Sequence, residues 1–158
     1  MAELEGFEKH AKEQKKAYVN HLKKGNKNKM LQALPDLHDR AFEKIDCLSC
    51  ANCCKNYSPR FKMPDIKRIA KHMKMKESVF IDTYLKLDTD EDYVVQSHPC
   101  PFLGANNYCD IYDVRPRDCA RYPYTDDDVL IKQPNLTAMN ATICPAVYTV
   151  MEQLLHIK

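Results

Sequence analysis

The chain carries eight cysteines, and their spacing is the feature best able to do chemistry. The full set is Cys47, Cys50, Cys53, Cys54, Cys100, Cys109, Cys119 and Cys144, of which four lie in the stretch CLSCANCC. Cys-x2-Cys spacing lets two thiolates converge on one metal while backbone amides in the turn donate to the sulfurs. Three evenly spaced cysteines, Cys47, Cys50 and Cys53, suit three corners of an iron–sulfur cube. The Cys100-Pro101 and Cys144-Pro145 steps resemble the Cys-Pro of the bacterial ferredoxin pattern, whose fourth cysteine follows after three further residues and is not matched here. The cysteines together favour a metal centre.

Cys54 directly follows Cys53, which raises the question of how many centres there are. Adjacent side chains point to opposite sides of a strand, or diverge by about 100° in a helix. We therefore predict two centres, with one polynuclear cluster as the main alternative. The first takes Cys47, Cys50, Cys53 and either Cys100 or Cys144, and the second takes Cys54, Cys109, Cys119 and the other Cys-Pro cysteine.

The start of the sequence predicts a cytoplasmic protein. MAELEGFEKHAKEQKK has early acids and no apolar core of a secretory signal. Because the cytosol keeps thiols reduced, metal binding is favoured over disulfides and over eight unrelated buried cysteines. No apolar run approaches the roughly 18 residues of a membrane span, so no membrane partner is expected. The net charge of +2 is too small to indicate nucleic acid, and a protein partner is left open.

Charged groups near the cysteines suit a buried anionic centre. Four thiolates on zinc or on an oxidised cubane leave about two negative charges, whose burial requires compensation. Arg115, Arg117 and Arg121 flank Cys119, and we expect Arg115 to have a structural role beside the metal. His98 is not expected to be a ligand, because eight thiols already suffice.

No residue pair singles out one thiol as a nucleophile, so no catalytic residue is identified and enzyme activity is left open. The thiolate form of Cys144 is favoured by its position at a predicted helix start. Pro145 predicts a helix start that places the Cys144 sulfur near a positive helix end, which favours the thiolate.

Apolar periodicity predicts the elements that must position these residues. Helices are predicted over 3–24, where Leu4 contributes to the apolar stripe, over 28–34 up to Pro35, from Asp36 to about 45, from Pro64 through Met73, over 77–87 with Val79 and Leu87 inward, and from Pro145 onward. Short strands are predicted at 93–96 and 129–132.

These elements predict an α+β fold, predominantly helical, as a single domain with metal-binding loops between helices and short strands. Residues 1–40 are predicted to form a helical N-terminal extension, and residues 41–158 the cysteine-cluster metal-binding domain. Folding is expected to be coupled to metal binding, because 47–60 and 97–123 contain few residues able to form a core.

The cysteine blocks resemble a known family. CLSCANCC, HPCPFL, YCDIYDVRPRDCARYP and ICPA stand in the order of the YkgJ-type CxxCxxCC cysteine-cluster family, regarded as zinc- or iron-chelating domains. The third block follows the family pattern C-x-I-Y-x-x-R-P-x-x-C-x-x-Y-P, and the resemblance covers roughly residues 45–148.

The resemblance implies that all eight cysteines are metal ligands. It also implies a structured wall of Arg115, Pro116, Tyr122 and Pro123, which makes Arg115 and Tyr122 the candidates for cofactor binding. The motif occurs in flagellin lysine N-methylase-like proteins, so a redox or methyl-transfer reaction is one hypothesis. The chain has only three glycines and shows no glycine-rich loop for a nucleotide or S-adenosylmethionine.

The sequence thus favours a protein with an iron–sulfur cluster of the 4Fe-4S kind. The alternative is a structural zinc module for protein or RNA interaction, and metal delivery is a third reading.

Overall fold

The computed structural model describes residues 5–158. In chain order the elements are α1 (Phe7–Lys24), α2 (Lys27–Phe42), α3 (Cys47–Cys50), α4 (Asn52–Asn56), α5 (Met63–His72), α6 (Glu77–Tyr84), β1 (Leu85–Leu87), β2 (Tyr93–Val95), a 3-10 helix (Tyr112–Val114), α7 (Arg117–Arg121), α8 (Val129–Lys132), α9 (Pro134–Asn140) and α10 (Pro145–Leu154). The predicted α+β class with a predominance of helix is confirmed. Over the described residues, no helix combines the length and apolarity needed to cross a membrane.

The chain forms two compact units. Unit 1 joins the chain up to Asp46 with Pro123–Lys158, and unit 2 is the continuous segment Cys47–Tyr122. The predicted boundary at residue 40, between a helical extension and the cysteine-cluster domain, stays a prediction.

Unit 1 is a set of helices held together by apolar stripes. Ala11, Tyr18 and Leu22 of α1 are buried, and α1 packs against α9 while α2 packs against α10. The predicted N-terminal helix is confirmed from Phe7 onward, and Leu4 lies outside the described residues. The predicted terminal helix is also confirmed, with its expected apolar positions fully buried: Val147, Val150, Met151 and Leu154.

Pro35 does not separate two helices as predicted, because it lies inside the single helix α2. The buried residues Met30, Leu34, Leu37 and Ala41 continue at helical spacing across the proline. Packing of this stripe against α10 therefore offsets the backbone hydrogen bond that the proline removes.

The predicted strand at 129–132 is wrong, since Val129–Lys132 form the one-turn helix α8. Leu130 and Ile131 are both buried. A short apolar run fits a buried strand and a buried helix equally well, so its periodicity could not decide between them.

Unit 2 is built around an aromatic and aliphatic core in which Phe61, Ile66, Phe80 and Phe102 are buried. Strands β1 and β2 pair antiparallel, with Leu85 opposite Val95 and Leu87 opposite Tyr93. The predicted helix over 77–87 ends at Tyr84, where the chain enters β1.

Two residues predicted to point inward from this segment are exposed instead, Val79 at 47% and Leu87 at 56%. Leu87 lies in the strand that replaces the last turn of the predicted helix, so the helical spacing used to place it does not apply.

Candidate metal centre

The first four cysteines lie on two one-turn helices rather than in an open loop. Cys47 and Cys50 are the first and last residues of α3, and Cys53 and Cys54 lie in α4. Ala51 joins the helices in a left-handed conformation, with φ at 47°, and is 3% exposed. This sharp junction sets the direction in which the second pair of cysteines leaves the first.

The sulfurs of Cys53 and Cys54 lie 3.9 Å apart. The expectation that adjacency would keep these two sulfurs apart is therefore wrong. Two thiolates on one tetrahedral zinc, with bonds of about 2.3 Å, would be separated by about 3.8 Å. Cys53 and Cys54 thus already stand at the spacing of two ligands of one metal atom.

A group of four thiols forms around Cys54, and we call Cys54, Cys100, Cys109 and Cys119 the four-thiol group. Burial raises the pKa of Cys119 far above its usual range, and negative charge on the other three thiols raises it further. Cys54 also raises the pKa of Cys100 and of Cys109 through its charge. The structure therefore brings into one neighbourhood thiols that lie up to 65 positions apart in the sequence.

Backbone contacts and the core of unit 2 position the middle of this group. The Cys100 N–H donates to the Cys54 carbonyl at 2.8 Å, which ties the loop of Cys100 directly to α4. The N–H groups of Phe102 and Ile111 lie close enough to the sulfurs of Cys100 and Cys109 to lower the pKa of each. Because both Phe102 and Ile111 are buried in the core, packing fixes the amides that face the sulfurs.

The loop between these two cysteines is closed by its own backbone. The Gly104 N–H donates to the Tyr108 carbonyl at 2.8 Å, and the Asp110 N–H donates to the Phe102 carbonyl at the same distance. Leu103 and Cys109 form an isolated antiparallel bridge. Cys100 and Cys109 are thus held at the base of one tight loop.

The electrostatics of the group differ from thiol to thiol. A hydrogen bond with Cys53 lowers the pKa of Cys54 to about 7, against the effect of burial. Burial raises the pKa of Cys100 to about 11 and also raises that of Cys109. Without a bound cation, buried thiols of this kind favour the neutral form, so a metal would supply the charge that stabilises them as thiolates.

The remaining cysteines differ in their surroundings. Cys47 is exposed and Cys50 is half-buried. Cys144 is buried in unit 1 as the residue directly before α10, and its carbonyl accepts from the Tyr148 N–H at 3.0 Å. The prediction that all eight cysteines are ligands stays a prediction.

Arg115 lies near Cys109, and Tyr122 packs on Tyr57 in the same unit, while the prediction that Arg115 and Tyr122 bind a cofactor stays a prediction. The Arg115 guanidinium lies 3.9 Å from the centre of the Tyr112 ring and lowers the pKa of Cys109 by its charge. The Tyr122 ring stacks on Tyr57 at 5.9 Å. The positive charge is thus placed to compensate a thiolate, whereas the stacked tyrosines form an aromatic surface.

Three residues that the sequence did not indicate as part of the site lie near the four-thiol group or bond to the segment that carries Cys119: Tyr57, Asp65 and Arg68. Tyr57 is near enough to Cys119 for the charge of that thiol to raise its pKa, although burial has the larger effect. Asp65 and Arg68 bond to the segment that leads into α7, which carries Cys119. The only local signal for this pair is its i,i+3 spacing on a predicted helix. His98, which was not expected to be a ligand, is exposed.

The donor set fits a soft metal. Tetrahedral sites made of sulfur ligands are typical of zinc and of iron–sulfur centres. Across residues 5–158, no three Cys, His, Asp or Glu side chains already stand in the geometry needed to hold one metal ion. The fit therefore rests on the kind and grouping of the thiols and on the Cys53–Cys54 spacing.

Comparison with known proteins agrees with this chemistry. A family model described as "CxxCxxCC: Putative zinc- or iron-chelating domain" matches residues 46–145, which is more than half of the chain. No curated protein and no solved structure matches the chain. The match includes all eight cysteines, and the chain belongs to the CxxCxxCC family.

Proposed function

We propose that the chain holds an iron–sulfur cluster, with Cys54, Cys100, Cys109 and Cys119 as its ligands. The observation that carries the proposal is the four-thiol group itself, in which the charge of Cys54 raises the pKa of the other three thiols and the Cys100 N–H donates to the Cys54 carbonyl at 2.8 Å. Four thiolates are the ligand set that iron–sulfur clusters use. Such a cluster would supply electron-transfer chemistry when bound.

The surroundings of the group support this role. The amides of Phe102 and Ile111 face two of the sulfurs, and hydrogen bonds to ligand sulfurs tune the potential of a cluster. Arg115 adds positive charge beside Cys109. A bound cluster would serve a redox or methyl-transfer reaction by carrying electrons. None of the residues described above is assigned to a step of such a reaction.

Zinc binding is the second candidate, and a specific observation favours it. The 3.9 Å between the Cys53 and Cys54 sulfurs suits two thiolates that share one metal atom, as in a structural zinc site. In a cubane each iron takes one cysteine, so Cys53 and Cys54 would not share an iron there. The two candidates therefore differ in whether Cys53 is a ligand beside Cys54.

Anaerobic purification followed by absorption spectroscopy and elemental analysis distinguishes the candidates. A brown protein that contains iron and sulfide and is bleached by dithionite supports the iron–sulfur cluster. A colourless protein that contains zinc supports the second candidate and refutes the first. A reduced protein with neither metal, which also fails to take up either metal on reconstitution, would refute both.

Cysteine variants then test the ligand set. Cys109→Ser is expected to remove the cluster, because serine is a poor substitute for a thiolate on a soft metal. Cys47→Ser, which changes an exposed cysteine outside the four-thiol group, is the matched control and is expected to retain it. Equal loss of metal in both variants would contradict the assignment of the four ligands.

A further inference from the structure

A buried carboxylate connects helix α5 to the segment that carries Cys119. Asp65 is 4% exposed, and its Oδ2 accepts from the Lys62 N–H at 3.2 Å, which caps the helix. Its Oδ1 accepts from Nη2 of Arg68 at 2.7 Å and from the Arg117 N–H at 3.2 Å. One side chain thus caps α5 and also bonds to the first residue of α7.

Arg68 binds the same segment through its backbone carbonyls. Its Nη2 donates to the Arg115 carbonyl at 2.9 Å as well as to Asp65, and its Nε donates to the Val114 carbonyl at 3.3 Å. A planar guanidinium can serve three acceptors in this fixed arrangement, whereas a lysine ammonium lacks the fork.

The segment held in this way joins two members of the four-thiol group. Cys109 precedes the 3-10 helix at Tyr112–Val114, and Cys119 lies in the middle of α7, which starts at Arg117. The two bonds from Arg68 and the one from Asp65 fall on the connection between them. Any shift of this connection changes the separation of the two thiols.

We infer that Asp65 and Arg68 are positioning residues that hold Cys109 and Cys119 at the separation required by the metal centre, an inference that rests on the proposed function. Neither residue is assigned as a ligand. They act through the backbone of residues 114–117, in the way that supporting residues orient the ligands of other metal sites. A buried carboxylate that loses its cationic partner is also left uncompensated, so the arrangement depends on both residues.

The test is Co²⁺ binding by the reduced, metal-free full chain, measured by competition with a chelator and by the thiolate-to-cobalt absorption band. Arg68→Ala is expected to weaken Co²⁺ binding about 10- to 100-fold and to reduce the band intensity per bound ion. Arg68→Lys keeps the charge but loses the forked guanidinium, so its Co²⁺ affinity is expected to lie between those of the unmodified chain and Arg68→Ala. The matched control is Arg40→Ala, which removes an arginine from the exposed Asp36–Arg40 pair, 2.9 Å long, on α2.

Double variants separate positioning from general destabilisation. When Arg68→Ala is combined with Cys119→Ser, it is expected to weaken binding by less than about twofold more, because the thiol through which it acts is already gone. Combined with His98→Ala, which changes an exposed residue that is not expected to be a ligand, it is expected to show its full effect. An equal effect in both backgrounds, or a similar loss in Arg40→Ala, would overturn the inference.

The outcomes also separate this inference from the proposed function. If the unmodified chain takes up no metal, neither as Co²⁺ nor as iron and sulfide on anaerobic reconstitution, the metal-binding function itself fails. If the unmodified chain binds Co²⁺ and Arg68→Ala binds it within about twofold, only the positioning role fails. Should Arg68→Ala not fold, Asp65→Asn and Arg68→Lys decide the question by the same measurements.

Discussion

Replacement of Phe102 by alanine tests how much stability comes from the core of unit 2, which holds the amide that faces the Cys100 sulfur. Phe102 is 3% exposed, and its ring centre lies 5.0 Å from that of Tyr84, 5.9 Å from that of Phe80 and 6.3 Å from that of Phe61. Removal of a buried phenylalanine side chain costs about 3–5 kcal/mol. Each aromatic pair contributes about 0.5–1.5 kcal/mol beyond burial, so three neighbours place the expected loss near the top, about 4–5 kcal/mol.

A loss of this size is a large part of the 5–15 kcal/mol by which domains are usually stable. The assay is anaerobic urea unfolding of the reduced, metal-loaded chain, followed by circular dichroism with the m-value fitted freely. Tyr108→Ala is the matched control, because Tyr108 lies in the same loop but is 54% exposed, and a change within about 0.5 kcal/mol is expected. The reasoning is refuted if Phe102→Ala costs less than about 1.5 kcal/mol at an unchanged m-value, or if Tyr108→Ala costs as much.

Three further predictions concern the buried tyrosine of α1, the ligands and the metal. Burial and the hydrogen bond that Tyr18 donates to Glu152 raise the pKa of Tyr18 in the folded state. As the pH rises, the Tyr18 hydroxyl loses its proton in the unfolded chain before it does so in the folded chain. The free energy of unfolding should therefore fall above a pH of about 10. Unfolding of Tyr18→Phe, measured over the same pH range, should lack the part of this fall that comes from Tyr18. Cys119→Ser should lose metal while His98→Ala retains it; elemental analysis of both decides, and metal loss in the His98 variant alone would show that the ligand set is wrong. Removal of metal under reducing conditions should abolish cooperative unfolding, and an unchanged melting transition of the metal-free chain would contradict the expected coupling.

Local sequence patterns predict the elements whose apolar stripe is unbroken. The helices α1, α5 and α10 fall within a few residues of their predicted positions, because their buried residues recur at helical spacing. The same patterns fail where tertiary packing decides. Pro35 is tolerated inside α2 because the stripe on both sides of it packs against α10, and no local rule contains that information.

The site shows the same limit. The sequence predicts that Cys54 shares a centre with Cys109 and Cys119. The reason is that the side chains of Cys53 and Cys54 are expected to diverge, and the 3.9 Å between the Cys53 and Cys54 sulfurs contradicts that reason. Asp65 is recognisable in the sequence as part of a helix start. Its bond to the Arg117 N–H, 52 positions further along the chain, depends on how unit 2 folds and has no local pattern.

The discontinuity of unit 1 has a consequence for how the chain is made. Helices α1 and α2 pack against α9 and α10, so their apolar stripes cannot be covered until α9 and α10 have left the ribosome. The roughly 100 residues between α2 and α10 take about 5–20 s to synthesise at about 5–20 residues per second. During that time unit 2, which is continuous in sequence, can fold and shorten the loop that α1 and α2 must close. A nascent chain stalled before Pro145 would therefore expose the apolar faces of α1 and α2. At this stage it presents the largest apolar surface for a chaperone to bind.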